Sequence, residues 1–129
     1  MIRLSDTEWT LMNRLWEGEA TVMELTRELG EAQDWSKSTI ITMLGRLEKK
    51  GAVTYREEGR TKHFYPLIDR DKAAVQETEG FLNKVYQGSI AMMLNAMAGT
   101  RGLKEGDIRE LRQLLDQWEA EESAREQKM

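Results

Sequence analysis

The stretch from Trp35 to Leu47 contains no carboxylate, and its small polar residues recur at helical spacing. On a wheel of about 100° per residue, Met43, Leu44 and Leu47 fall within about 60° of Ile40 and form one apolar face. Ser38, Thr42, Gly45, Arg46 and Lys49 fall on the opposite arc, Thr39 and Lys50 lie at its edge, and Lys37 opens the segment. Short hydroxyls and a glycine let a helix settle deep in a DNA major groove, where they can bond base edges or touch a thymine methyl group. Cations beside them suit the phosphates on either wall. A polar helical arc is more often merely solvated, but the missing carboxylates and the surrounding helix order favour the groove.

Nothing else in the chain has the makings of a catalytic site. There is one histidine, His63, and no cysteine. That removes disulfides, thiolate metal sites and cysteine nucleophiles, and leaves no histidine pair. No glycine-rich phosphate loop, nucleophile elbow or paired-carboxylate site is visible. The expectation is a protein that is not an enzyme and needs no cofactor or metal. His63 reads as a strand residue beside Tyr65, and Met92, Met93 and Met97 as core rather than a thioether copper site.

The formal charge of −4 argues against a polyanion partner until its distribution is considered. Between Ser36 and Lys62 lie seven basic residues (Lys37, Arg46, Lys49, Lys50, Arg56, Arg60, Lys62) against Glu48, Glu57 and Glu58, a local +4 that leaves −8 elsewhere. Affinity for phosphate follows where cations cluster, more than the sum over the molecule.

The elements that must carry this patch follow from caps and periods. Ser5 with Glu8, and Thr21 with Glu24, have capping-box spacing and start two helices. Trp9, Met12, Leu15 and Trp16 stripe the first, which Gly18 stops; Val22, Leu25 and Leu29 stripe the second, with Gly30 as its end signal. Ser36 opens the third helix and Gly51 closes it. Val53 and Tyr55 then alternate with Thr54 and Arg56, Glu57-Glu58-Gly59-Arg60 reads as a turn, and a second strand runs from Lys62 to Leu67. Three short helices followed by a hairpin are the order of a winged helix-turn-helix, which places Arg60, and less directly Lys62, at a backbone-contacting tip.

From Asp69 the pattern is helical again. Phe81, Leu82, Val85, Tyr86, Ile90, Met93, Leu94 and Met97 form a stripe that ends near Gly99. Ile108, Leu111, Leu115 and Trp118 form an a/d seam in a helix starting near Lys104. A head of 68 residues cannot cover both, so a second copy of the chain is the expected partner. The expected architecture is mainly α: a winged helix-turn-helix over residues 1–68, a helical dimerisation arm over 69–122, and a frayed tail over 123–129. No apolar run reaches the roughly 18 residues of a membrane span, and no basic-then-apolar segment opens the chain, so a cytoplasmic protein is expected.

Several segments resemble the penicillinase-repressor family of bacterial transcription regulators. They are Leu4-Ser5-Asp6-Thr7-Glu8-Trp9, Trp35-Ser36 with Thr39-Ile40, Thr42 through Arg46-Leu47, Lys49-Lys50-Gly51 and Glu58-Gly59-Arg60. The run Phe81-Leu82-Asn83-Lys84-Val85-Tyr86 with Gly88, and Asp107-Ile108 with Glu110-Leu111-Arg112 and Leu114-Leu115, extend the resemblance over nearly the whole chain. It implies a homodimeric repressor that binds a palindromic operator and pairs through intertwined C-terminal helices. It also implies base reading at Thr39 and Thr42 and a phosphate contact at Arg46. Family members usually carry Lys where this chain has Ser38, and often Pro where it has Lys37, which moves that cation by one position. The copper-responsive branch has a Cys-rich tail that is absent here. The β-lactam-responsive branch is cut by a sensor-linked protease after an Asn that precedes Phe; Asn95-Ala96-Met97 occupies that neighbourhood without the Asn-Phe bond. A winged helix serving only as a protein-docking module, without DNA binding, is the alternative reading.

Overall fold

The computed structural model describes residues 2–128. Helices α1 (Asp6–Leu15), α2 (Val22–Gln33) and α3 (Lys37–Lys50) precede strands β1 (Val53–Glu58) and β2 (Thr61–Pro66). Helices α4 (Arg70–Tyr86), α5 (Ile90–Thr100) and α6 (Glu105–Lys128) follow. The chain divides into two units that meet between Glu79 and Gly80. No helix among the described residues is long and apolar enough to cross a membrane.

In the first unit both capping boxes form. Glu8 N–H donates to Ser5 Oγ at 3.3 Å while Ser5 N–H donates to Glu8 Oε1 at 2.8 Å. Thr21 and Glu24 repeat the exchange at 3.1 and 3.2 Å. Each box satisfies two amide donors that a helix start would otherwise leave open. Leu11, Met12, Leu15, Leu25, Ile40, Leu44, Leu47 and Val53 are fully buried and join the three helices to the base of the hairpin.

Gly30 does not end α2, as its type suggested. The helix runs on to Gln33 and stops at Asp34, which is left-handed at φ 57°. Gly30 is glycine for a different reason: a Cβ there would lie 3.1 Å from the Trp35 carbonyl oxygen. Trp35 N–H in turn donates to Gly30 O at 2.8 Å, and this close approach turns the chain into α3.

The strands pair antiparallel with Val53 opposite Pro66 and Glu58 opposite Thr61. Glu57 and Glu58 therefore belong to β1 rather than to the turn, which is only Gly59-Arg60. Gly59, at φ 64°, supplies the positive φ that the first position of a tight II′ hairpin turn requires. A single bridge joins Ala20 to Phe64: Ala20 N–H donates to Phe64 O at 3.0 Å and Phe64 N–H returns to Ala20 O at 2.8 Å. The link between α1 and α2 thus serves as a minimal third strand.

The first unit extends into α4, beyond the 68/69 boundary expected from pattern alone. Trp16 Nε1–H donates to Ile68 O at 3.0 Å, and the Arg70 guanidinium lies 5.9 Å from the centre of the Trp16 ring. These contacts hold the start of α4 to the end of α1.

In the second unit the long stripe expected over 81–97 is broken. Gln87 and Gly88 adopt φ 48° and 83°, and Ser89 caps α5 by accepting from Met92 N–H at 3.2 Å. Leu94, Met97, Leu103, Leu111 and Leu114 line a cavity of about 220 Å³ between α5 and α6. No residue of α5 or α6 is fully buried, and Met92, expected in the core, is half exposed. Helix α6 continues to Lys128, through the segment expected to fray. Glu, Ala, Arg, Gln and Lys make up most of that stretch, and all are strong helix formers.

Candidate nucleic-acid interface

Helix α3 is held at both ends by its own sequence. Ser36 caps it, its Oγ accepting from Thr39 N–H at 3.2 Å. Gly51 ends it at φ 83°, with Ala52 N–H donating back to Leu47 O at 2.9 Å. Ile40, Met43, Leu44 and Leu47 are buried against the core, and this fixes which arc faces out. Ser38, Thr39, Thr42, Gly45, Arg46 and Lys49 are all exposed, as the wheel required, and so is Lys37 at the first position of the helix.

The hydroxyls on that arc are already oriented. Ser36 Oγ lies 3.0 Å from both Ser38 Oγ and Thr39 Oγ1. Thr42 Oγ1–H donates to Ser38 O at 2.9 Å, so its proton is committed to the helix. What Thr42 offers outward is an acceptor lone pair and a methyl group, suited to a base amino group and a thymine methyl.

The seven cations of the basic stretch do not all remain available. Lys50 turns inward: its Nζ lies 2.6 Å from Glu8 Oε1 and donates to Arg3 O at 2.9 Å. This corrects its assignment to the DNA-facing arc. Glu8 is 2% exposed and needs a cation, because a lone buried carboxylate is costly. Burial acts to raise the Glu8 pKa, but the Lys50 hydrogen bond, the Ser5 amide and the Lys50 charge outweigh it and hold it below the ordinary value. Glu8 Oε2 is left without a hydrogen-bond partner.

Arg56 is engaged by Glu19 at 2.8 Å and Glu58 at 3.2 Å. Those two hydrogen bonds, Glu19 first, raise its pKa. The same carboxylates flank His63, at 3.8 and 3.6 Å. Glu58 is thus turned toward Arg56 and His63. Lys62 lies over the Tyr55 ring, 4.3 Å from its centre, opposite Glu57 in the ladder. Among the described residues, Lys37, Arg46, Lys49 and Arg60 have neither an ion-pair partner nor an aromatic ring beneath them. Arg46 and Lys49 lie on the exposed arc of α3, Lys37 is at its first position, and Arg60 is at the tip of the hairpin.

The other sequence candidates lie in the second unit. Phe81, Val85, Ile90, Met97, Ile108, Leu115 and Trp118 are exposed, whereas Tyr86, Met93, Leu94 and Leu111 are half-buried. Asn95 and Met97 are exposed and Ala96 half-buried, all within the helical α5. Among the described residues no cluster of three or more His, Asp or Glu is placed to hold a metal ion. One exposed residue of α3 escaped the sequence reading: Ile41, 50% exposed, which its apolar type had concealed.

Three helices, a two-stranded wing and the Ala20 bridge at its base define a winged helix-turn-helix. The chain belongs to the penicillinase repressor family, whose profile matches residues 4–117. The methicillin resistance regulatory protein MecI of Staphylococcus aureus (strain N315) is 29% identical over 114 residues, covering 88% of this chain and 93% of MecI. The penicillinase repressor of Bacillus licheniformis is 35% identical over 117 residues, covering 89% of this chain and 91% of that protein. Among solved structures, the DNA-binding domain of the repressor BlaI aligns with a TM-score of 0.50 at 38% identity, over 54% of this chain and 85% of that domain.

Proposed function

We propose that this chain is a homodimeric transcriptional repressor whose heads bind a palindromic operator through α3 and the wing. One observation carries the reading. The outward arc of α3 combines committed hydroxyls with cations that have no ion-pair partner among the described residues, while neighbouring cations are consumed internally. Family membership supports the same reading, and a repressor of this kind works in the cytoplasm, beside the chromosome. The docking-module alternative rests on winged helices also serving as docking domains and on the net charge of −4, which the cations left free on this face offset.

A salt titration of duplex binding tests it. With four free cations per head, a dimer should give a log–log slope of about −7, since each neutralised phosphate contributes about −0.9. If all seven cations per head reached phosphates, the slope would approach about −13 on the same principle. No binding to duplex DNA at low salt would leave the docking module standing.

Substitutions on α3 should separate two kinds of contact. Thr39→Ala and Thr42→Ala are expected to relax base preference by about 1–3 kcal/mol at one position each. Arg46→Ala should weaken binding to all sequences alike and reduce the salt slope by about 1 per head. If all three lowered specific and random binding equally, α3 would not be the reading element.

Release by a sensor-linked protease cutting near Asn95-Ala96-Met97 belongs to the same reading, supported by the exposure of Asn95 and Met97. Mass spectrometry of the chain from cells exposed to a β-lactam should find fragments ending in that segment. Intact chain in derepressed cells would point to release by a ligand instead.

A further inference from the structure

Two neighbouring features of α3 have no use inside the molecule. Gly45 lies in the middle of a 14-residue helix, where glycine is roughly 1 kcal/mol less favourable than alanine. A Cβ built at Gly45 meets nothing within 4 Å, so no internal packing requires the gap. Ile41, one turn earlier, is 50% exposed although the core stripe of the same helix is complete without it.

Both lie on the arc already described. From the pole opposite the buried stripe, Ile41 is about 70° away, as far as Arg46 on the other flank and closer than Thr39 at about 90°. Its neighbours three residues before and four after are Ser38 and Gly45, so Ile41 is the tallest apolar side chain on that flank. A bare strip of helix backbone beside a projecting aliphatic group is a shape that fits a surface with a protruding methyl.

We infer that Ile41 and Gly45 form a reading element for thymine: Gly45 lets the α3 backbone approach the groove floor, and Ile41 packs against a thymine C5-methyl group. This rests on the repressor reading and adds to it a specific base and two residues outside the hydroxyl set. The methyl group is the apolar feature that marks thymine in the major groove. Burying one methyl is worth about fourfold in affinity.

The test begins with the full-length protein and duplexes selected by it from a random pool. Each thymine of the selected duplex is replaced by uracil, which removes only the methyl group. For the natural chain, uracil at one thymine per half-site should weaken binding roughly fourfold. Ile41→Ala should bind thymine and uracil duplexes equally at that position, and Ile41→Val should keep part of the difference. Gly45→Ala should raise the thermal midpoint by a few degrees while weakening binding to the selected duplex by fourfold or more. An exposed Ile should be replaceable without unfolding, and an unchanged thermal midpoint for Ile41→Ala and Ile41→Val verifies this.

The inference is overturned if the uracil penalty is the same in the natural chain and in Ile41→Ala at every thymine. It is overturned equally if Gly45→Ala binds as tightly as the natural chain. Either result leaves the repressor reading intact, because a selected sequence has then been bound. Failure to recover any preferred duplex would defeat both.

Discussion

Leu115→Asp should convert the protein into a monomer whose head stays folded but whose hold on operator falls by about 10²–10⁴, the gain that linking two sites normally provides. Leu115 and Trp118 are each 53% exposed and Ile108 is 41% exposed, all along one side of α6. Burying such side chains is worth roughly 1.5–3 kcal/mol apiece, and a carboxylate in their midst reverses the gain. One short recognition helix reads only a few base pairs, so a single head cannot match two heads on half-sites about one helical turn apart. Leu115 is a cleaner probe than Leu111, which also lines the cavity with Leu94 and Met97, so Leu111→Asp should loosen the α5–α6 packing as well. Sedimentation decides the matter: a Leu115→Asp protein that remains dimeric with intact operator affinity places the interface elsewhere.

Lys50→Met should destabilise the head by about 2–3 kcal/mol at neutral pH. Breaking a fully buried ion pair typically costs about 3–5 kcal/mol, and the figure is reduced here because the Lys50 side chain is 38% exposed. The pH dependence is the sharper signature. In the natural chain the Glu8 pKa is held below its unfolded value. Its contribution is therefore fully present above the ordinary carboxylate range and is lost as pH falls through the lower, folded value. Without Lys50 only the Ser5 hydrogen bonds oppose burial, so the folded pKa moves up from its lowered value and less stability is lost as pH falls. The fall in denaturant midpoint through the acid range should then be shallower for the variant than for the natural chain. Parallel slopes would show that Lys50 and Glu8 are not energetically coupled.

The head was legible in the sequence wherever local chemistry decides structure. Ser5 with Glu8, Thr21 with Glu24 and the Ser36 cap each act over three residues, and all three helices begin where those caps place them. The outward arc of α3 followed from the positions of Ile40, Met43, Leu44 and Leu47. What failed was decided at long range. Gly30 carries a helix-end signal locally, yet the Trp35 carbonyl uses it as a contact. Lys50 looked like one more cation on the arc because its partner, Glu8, lies 42 residues away and already seemed explained as a cap. Arg56 was lost to Glu19 in the same way, across 37 residues. Gly88-Ser89 did carry a break-and-restart signal, which the continuous apolar stripe over 81–97 outweighed. Ile41 was left unplaced, because an apolar residue outside the stripe carries no polar signal that would put it on the outward face.

The bridge between Ala20 and Phe64 makes the hairpin something other than a free arm. Isolated two-stranded hairpins are marginal in water, but this one is clamped at its base by two backbone hydrogen bonds and by buried Phe64. Fluctuations should therefore grow from the clamp toward Gly59-Arg60, and amide hydrogen exchange should be slow at Ala20 and Phe64 and fast at the tip. A hairpin anchored at its root surrenders less freedom on meeting a ligand than an unanchored arm would, so more of the contact energy at Arg60 survives as affinity.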